Sequence, residues 1–266
     1  RLVQLVQMFG FTGVVVLIDK LDETSATSNS AEATAKLIFP LLSHVQLLEV
    51  EGFAWMTFVW GSVRDQFNNK YKIRLDKIAN AHIKWEESAL IEMLESRIDF
   101  YSDKSKKLSD IFSKDVDYNK TISEIVRLAS KSPREVIRLM DVIIREHDAR
   151  DMGSSLIDED TLTISFDKFS IETVESWFPE KLLKQIFKLS KINFVNKDVQ
   201  TSFKISDQGA RVKIKSWEDA GLVSQNGTSP SDMGGKPVYN YTVSDARVAR
   251  IIERDLSPGL SEDDED

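Results

Sequence analysis

Apolar residues recur along this chain with two different rhythms. In the first 75 positions they come as unbroken runs: Val14-Val15-Val16-Leu17-Ile18, mostly β-branched, and a second run from Phe53 to Trp60 closed by Gly61-Ser62. Such a run predicts a strand covered on both faces, as in a parallel sheet. Between the runs, a small polar stretch from Ser25 to Ala35 leads into a helix through Leu37–Val50, which Pro40 kinks or restarts. Strand, helix and strand at this spacing predict a βαβ unit, preceded by the end of a helix in residues 2–9 that Gly10 closes.

From Asp76 to Glu146 the rhythm becomes helical. Leu90, Ile91, Leu94 and Ile98 make one stripe, Ile122, Ile125, Val126 and Ala129 a second, and Val136, Leu139, Met140, Ile143 and Ile144 a third. Asp151–Thr163 is acidic and weakly patterned and reads as the start of a linker. Beyond it, Leu182, Leu183, Ile186, Phe187 and Leu189 predict a helix, and Ser206 to Ala220 another that ends at Gly221. Two strands follow, Leu222–Gln225 and Val238–Val243, across a Gly-, Ser- and Pro-containing loop. Helices followed by a long-looped hairpin describe a winged helix. The expected fold class is therefore α/β followed by α. It comprises a partial parallel sheet in 1–75, a helical subdomain in 76–150, a linker in 151–177, a winged helix in 178–257 and a disordered acidic tail in 258–266.

Composition removes several chemistries. The chain has no Cys, which excludes disulfides, thiolate metal sites and a cysteine nucleophile, and its three His are scattered. No apolar run approaches the ~20 residues that span a bilayer, so no membrane partner and a cytoplasmic address are expected. The net charge of −8 is uneven, because residues 178–257 carry 13 basic against 9 acidic side chains. A locally basic module predicts a polyanion partner for that part alone, although a solvated surface of mixed charge also fits.

The stretch Val14 to Glu23 carries the most chemistry. A carboxylate at the tip of a buried parallel strand lies at the sheet edge where α/β ligands bind. Asp19 occupies that place, with Asp22 and Glu23 just beyond. Read alone, the pattern also suits a strand that ends in a solvated acidic turn. The sequence hhhhDxxDE resembles the Walker B strand of the STAND and KAP-type P-loop NTPases, relatives of the AAA+ ATPases. The resemblance implies that Asp19 holds the Mg2+ of bound ATP and that Asp22 or Glu23 orients the attacking water.

It extends along most of the chain. Ser62 and Arg64, after the second strand, stand where these proteins place a polar sensor beside the γ-phosphate. Leu75 to Arg97 resembles the segment that opens the helical lid, with Trp85 as a core anchor. Ser132-Pro133-Arg134-Glu135 opens a helix with Ser132 as N-cap, Pro133 at the first position and Glu135 closing a capping box. The same Pro-Arg pair resembles sensor 2, which implies that Arg134 faces bound phosphates. The family reading is thus the C-terminal part of a bacterial-type ATP-dependent switch, in signalling or antiviral defence, that uses ATP and Mg2+ and assembles as a homo-oligomer.

One part is missing. No GxxxxGK[ST] occurs in the 266 residues, and Gly234-Gly235-Lys236-Pro237 is no substitute because Pro follows the Lys. These residues alone are therefore expected to hydrolyse no ATP; either the loop lies upstream of Arg1 or the scaffold is degenerate. In the basic module, Ala210, Ile214 and Trp217 fall on one face of the Ser206–Ala220 helix. Gln208, Arg211 and Lys215 point away from it, as a recognition helix requires, and Lys236 on the wing can reach a flanking phosphate. The alternatives from other classes are a non-enzymatic DNA-binding regulator on a degenerate NTPase scaffold, and a structural oligomerisation module.

Overall fold

The computed structural model of the chain describes residues 1–21, 24–27, 30–150, 153, 154, 156–230 and 237–259, with Val45, Ser62, Asp65 and Asn69 described by backbone alone. The chain divides into two compact units, Arg1–Ile83 and Lys84–Asp266.

The first unit begins with α1 (Leu2–Gln7), followed by β1 (Val14–Ile18), α2 (Ala31–Ser43), β2 (Phe53–Thr57) and α3 (Gly61–Asn69). β1 and β2 pair in parallel, Val14 opposite Phe53 through Ile18 opposite Thr57, with α2 in the crossover. The expected βαβ unit is present. Gly13 is required where this pairing starts, since a Cβ there would lie 2.5 Å from the Gly52 carbonyl oxygen. That oxygen accepts the Val14 N–H. α2 begins earlier than its apolar run suggests, because Ser30 caps it by accepting the Ala33 N–H. Pro40 lies inside the helix, which stops three residues later.

The core of this unit is small: Ala35 and Ile38 of α2 against Val63 and Phe67 of α3. The strands depart from expectation. Val15 and Leu17 are 61% and 63% exposed, so β1 is covered on one face and not both. β2 ends at Thr57, three residues before the end of its apolar run.

The second unit holds α4 (Glu87–Tyr101), α5 (Tyr118–Leu128), α6 (Pro133–Arg150) and α7 (Glu159–Trp177). It continues through α8 (Glu180–Leu189), β3 (Asn193–Val195), α9 (Asn196–Phe203), α10 (Asp207–Asp219), β4 (Val223–Ser229), β5 (Val238–Val243) and α11 (Ala246–Glu253). The predicted stripes of α4, α5 and α6 form one core, with Leu90, Ile125, Leu139 and Ile143 fully buried. Ile144 and Trp85 are exceptions. Trp85 is 40% exposed in the coil before α4, so it is not a core anchor.

The segment expected as a linker contains α7. Asp158 caps the helix through the Thr161 N–H at 2.7 Å. Its first half gives Leu162, Phe166 and Phe169 to the core of α4–α6, and its second half gives Val174 to the core that follows. That second core gathers Leu183 and Ile186 of α8, Phe194 of β3, Ala210, Ile214 and Trp217 of α10, and Val248 and Ile251 of α11. Three antiparallel strands in the order β3-β5-β4 flank it. β4 runs past its apolar start because β5 continues to pair with its polar residues, through an irregularity between Gln225 and Thr228.

Candidate functional site

Asp19 follows the last residue of β1 and is exposed at the carboxyl end of the strand. Its Oδ1 accepts the Lys20 N–H at 2.8 Å, and Lys20 turns the chain at φ +58°. The loop beyond is tied back by Thr27, whose buried hydroxyl donates to the Leu21 carbonyl. Asp22 and Glu23, the expected water-orienting acids, lie outside the described residues. Mg2+ in nucleotide sites is held by one or two carboxylates with waters and phosphate oxygens. Asp19 can supply one such ligand. Among the described residues there is no cluster of three or more carboxylates or imidazoles placed for a metal.

Ser62 and Arg64 were expected at the tip of the second strand. They lie instead in the first turn of α3, because β2 has already ended and Gly61 opens the helix. Arg134 occupies the second position of α6 after Pro133 and is exposed, with no side-chain partner among the described residues. The Ser132 Oγ accepts the Glu135 N–H at 3.5 Å. The other half of the capping box is not formed. The Glu135 carboxylate takes the Arg138 guanidinium at 3.4 Å, while the Ser132 N–H donates to the Ala129 carbonyl. Asp19 belongs to the first unit and Arg134 to the second.

On α10 the expected face is formed. Ala210, Ile214 and Trp217 are buried while Gln208, Arg211 and Lys215 are exposed. Its charge is balanced from within, however. Arg211 pairs with Asp207 at 2.9 Å and Lys215 with Asp219 at 2.8 Å, each one helical turn away. Val212, on the same helix, is 62% exposed. Lys236 lies outside the described residues.

Two clusters escaped the sequence reading. The first is centred on α11. Arg247 is fully buried against Asp245, its Nε donating to Oδ1 at 2.9 Å, and its guanidinium lies 4.3 Å from the Trp177 ring centroid. One turn later Arg250 binds Asp167 of α7 at 2.7 Å and Glu124 of α5 at 3.3 Å, and Arg254 shares Asp167. Burial pushes the Glu124 carboxyl up, but hydrogen bonds and charge from Arg127 and Arg250 outweigh it and leave it below its ordinary value. The signal was Asp245 as N-cap before Val248, Ala249, Ile251 and Ile252. Two arginines inside that pattern hid it.

The second cluster is basic. Lys213 of α10 places its Nζ 4.5 Å from the Phe203 ring centroid. Burial and then the positive charges of Lys181 and Lys188 lower its pKa.

Among the described residues no helix is long and apolar enough to cross a membrane. No family model matches the sequence, and no curated protein matches it. Among solved structures, the chain is similar to the Aeropyrum pernix Orc1 protein in complex with DNA, at 10% identity and a TM-score of 0.44, over 94% of this chain and 66% of that one. The match thus spans just under two thirds of the Aeropyrum pernix chain.

Proposed function

We propose that residues 1–83 contribute later strands to a P-loop nucleotide domain of the STAND or AAA+ kind, that helices α4 to α6 form its lid, and that 178–257 is a winged helix. The observation that carries this reading is the parallel pair β1–β2 joined by a helical crossover, with Asp19 at the carboxyl end of β1. The order helix, strand, helix, helix, strand, strand from α8 to β5, with strand order β3-β5-β4, supports the winged helix. ATP with Mg2+ is the proposed ligand and the reaction class is hydrolysis of its terminal phosphoanhydride bond, water attacking the γ-phosphorus and ADP leaving. Asp19 is the metal-side carboxylate, Asp22 or Glu23 orients water, and Ser62, Arg64 and Arg134 face phosphate. The 266 residues contain no GxxxxGK[ST], so this reading needs that loop from outside them.

In this proposal the lid and the winged helix move together, because α7 lies in both their cores and the Arg250 contacts fasten α11 to α5 and α7. Signalling or antiviral defence, self-assembly and a cytoplasmic setting belong to the same proposal. Titrating Mg2+-ATP into the polypeptide that includes a GxxxxGK[ST] loop tests it. Asp19→Ala should abolish turnover and leave the circular dichroism spectrum unchanged; undiminished hydrolysis refutes the metal role.

The second reading is DNA binding by the 178–257 module. It is favoured by the excess of 13 basic over 9 acidic side chains there, in a chain that is acidic as a whole.

A further inference from the structure

We infer that the cleft between the last turns of α4 and the connection from α4 to α5 is a ligand site, and that it takes a short peptide with free ends, its ammonium toward α4 and its carboxylate toward the connection. The inference stands apart from the nucleotide and DNA readings, since the cleft is built by residues 95–118 alone.

The cleft has a volume of about 480 Å3, within the ~300–1,000 Å3 of small-molecule sites. One wall is α4, where Glu95 and Asp99 stand one turn apart on a single stripe. The other wall carries Lys106 and Lys107, brought back alongside α4 by a reversal at Asp103 and Lys104, which lie at φ +51° and +61°. Hydrogen bonds hold that wall in place. The Lys104 N–H donates to the Asp99 carbonyl at 2.7 Å, the Lys106 N–H to Ser102 Oγ at 3.1 Å and the Lys107 N–H to Asp110 Oδ2 at 2.8 Å. Leu108, buried in the core of α4–α6, anchors it from below. From α5, the Tyr118 hydroxyl donates to Glu95 Oε1 at 3.4 Å; burial, and then the charge of Glu95, raise its pKa and keep it a donor.

The walls carry opposite charge and yet do not meet. Among the described residues none of Glu95, Asp99, Lys106 and Lys107 makes an ion pair, although all four are exposed in one cleft. A ligand that carried only phosphate would be repelled by the α4 wall, and a polyamine or a bare metal ion by the lysines. A ligand bearing both signs satisfies both walls at once. Ser96 and Ser109 also line the cleft, and a hydroxyl both donates and accepts, as the amide of a peptide requires of its partner. Phe100 stands one turn after Ser96 and therefore at the rim, 74% exposed. Its ring meets Tyr101 edge-on at 5.2 Å and leaves a face for an apolar side chain. Charges of both signs with hydroxyls beside them describe a peptide rather than a nucleotide. Exposed ion pairs contribute little each, so a Kd of the order of 1 mM is expected.

The test is a titration of the whole isotope-labelled 266-residue chain with triglycine, followed by NMR at the backbone amides of Ser96 and Ser109. Both amides should shift and saturate. Triglycine acetylated at its amine and amidated at its carboxylate should move neither at the same concentrations. Lys106→Gln with Lys107→Gln, and separately Glu95→Gln with Asp99→Asn, should each raise the Kd for triglycine at least about threefold. All four side chains are exposed, so both variants should fold, and unchanged amide shifts outside residues 95–118 check it. A capped peptide that binds as tightly as the free one overturns the recognition of charged ends, and so does an affinity that survives both double variants. Amides that do not shift at triglycine concentrations about tenfold above that Kd overturn the site itself. Saturation of the same amides by sodium phosphate alone, or by spermidine alone, assigns the cleft to ions of one sign and overturns the peptide.

Discussion

The two units solve the same packing problem with unequal means. In 84–266, apolar residues at helical spacing find partners a few turns away, and two cores close around them. In 1–83, Ala35 and Ile38 of α2 with Val63 and Phe67 of α3 form the buried core among the described residues, while alternate residues of β1 stay exposed. The difference lies in what each pattern asks for. A helical stripe needs one neighbouring face, whereas an unbroken aliphatic strand needs a layer on each side and a strand on each edge. The run Val14–Ile18 describes an environment richer than β1 and β2 make between them.

Substitutions sharpen that contrast. The largest loss should come from Asp245→Ala. It removes the partner of a buried arginine and the cap of α11 at once, and should cost the second unit about 4–5 kcal/mol in urea unfolding. A loss under 1 kcal/mol would mean that water replaces the carboxylate. Phe169→Ala, in the middle of α7 and fully buried, should cost about 3–4 kcal/mol by the same measurement.

The acid response carried by Glu124 should be smaller, and it reports the pairing of Glu124 with Arg127 of its own helix and with Arg250 of α11. Glu124 titrates below its unfolded value, so its contribution is complete above that value, near pH 4.5, and is lost as pH falls through the folded one. Glu124→Gln should therefore cost more stability at neutral pH than near pH 3, in paired unfolding curves; an equal cost at both would exclude the charge. The smallest effect belongs to the first unit. Leu17→Ser, at an exposed strand position, should stay within about 0.5 kcal/mol.

Much of the second unit was legible because its signals are local. Ser206, Ala210, Ile214 and Trp217 announce α10, and Ser206 caps it through the Gly209 N–H as expected. α7 was hidden by its own polar residues. Ser165 and Ser170 are buried, and each donates its hydroxyl to the carbonyl one turn back, at 2.7 Å. A helix that satisfies its hydroxyls internally can bury them, yet in sequence they interrupt the stripe. The candidate sites divide in the same way. Asp19 follows directly from the end of an aliphatic run. The pairing of Arg211 with Asp207 and of Lys215 with Asp219 was present as i,i+4 spacing, but cations counted alone concealed it. Lys213 was out of reach of any such pattern, since its surroundings come from α8 and α9.

The span of α7 across both cores has a thermal consequence. Residues 162–169 cannot leave one cluster without loosening the turn that carries Val174 into the other. Heating should therefore not release these clusters one after the other. They share a fate, and a calorimeter would record a single heat-absorption peak with an enthalpy proper to some 180 residues rather than two peaks of half that size.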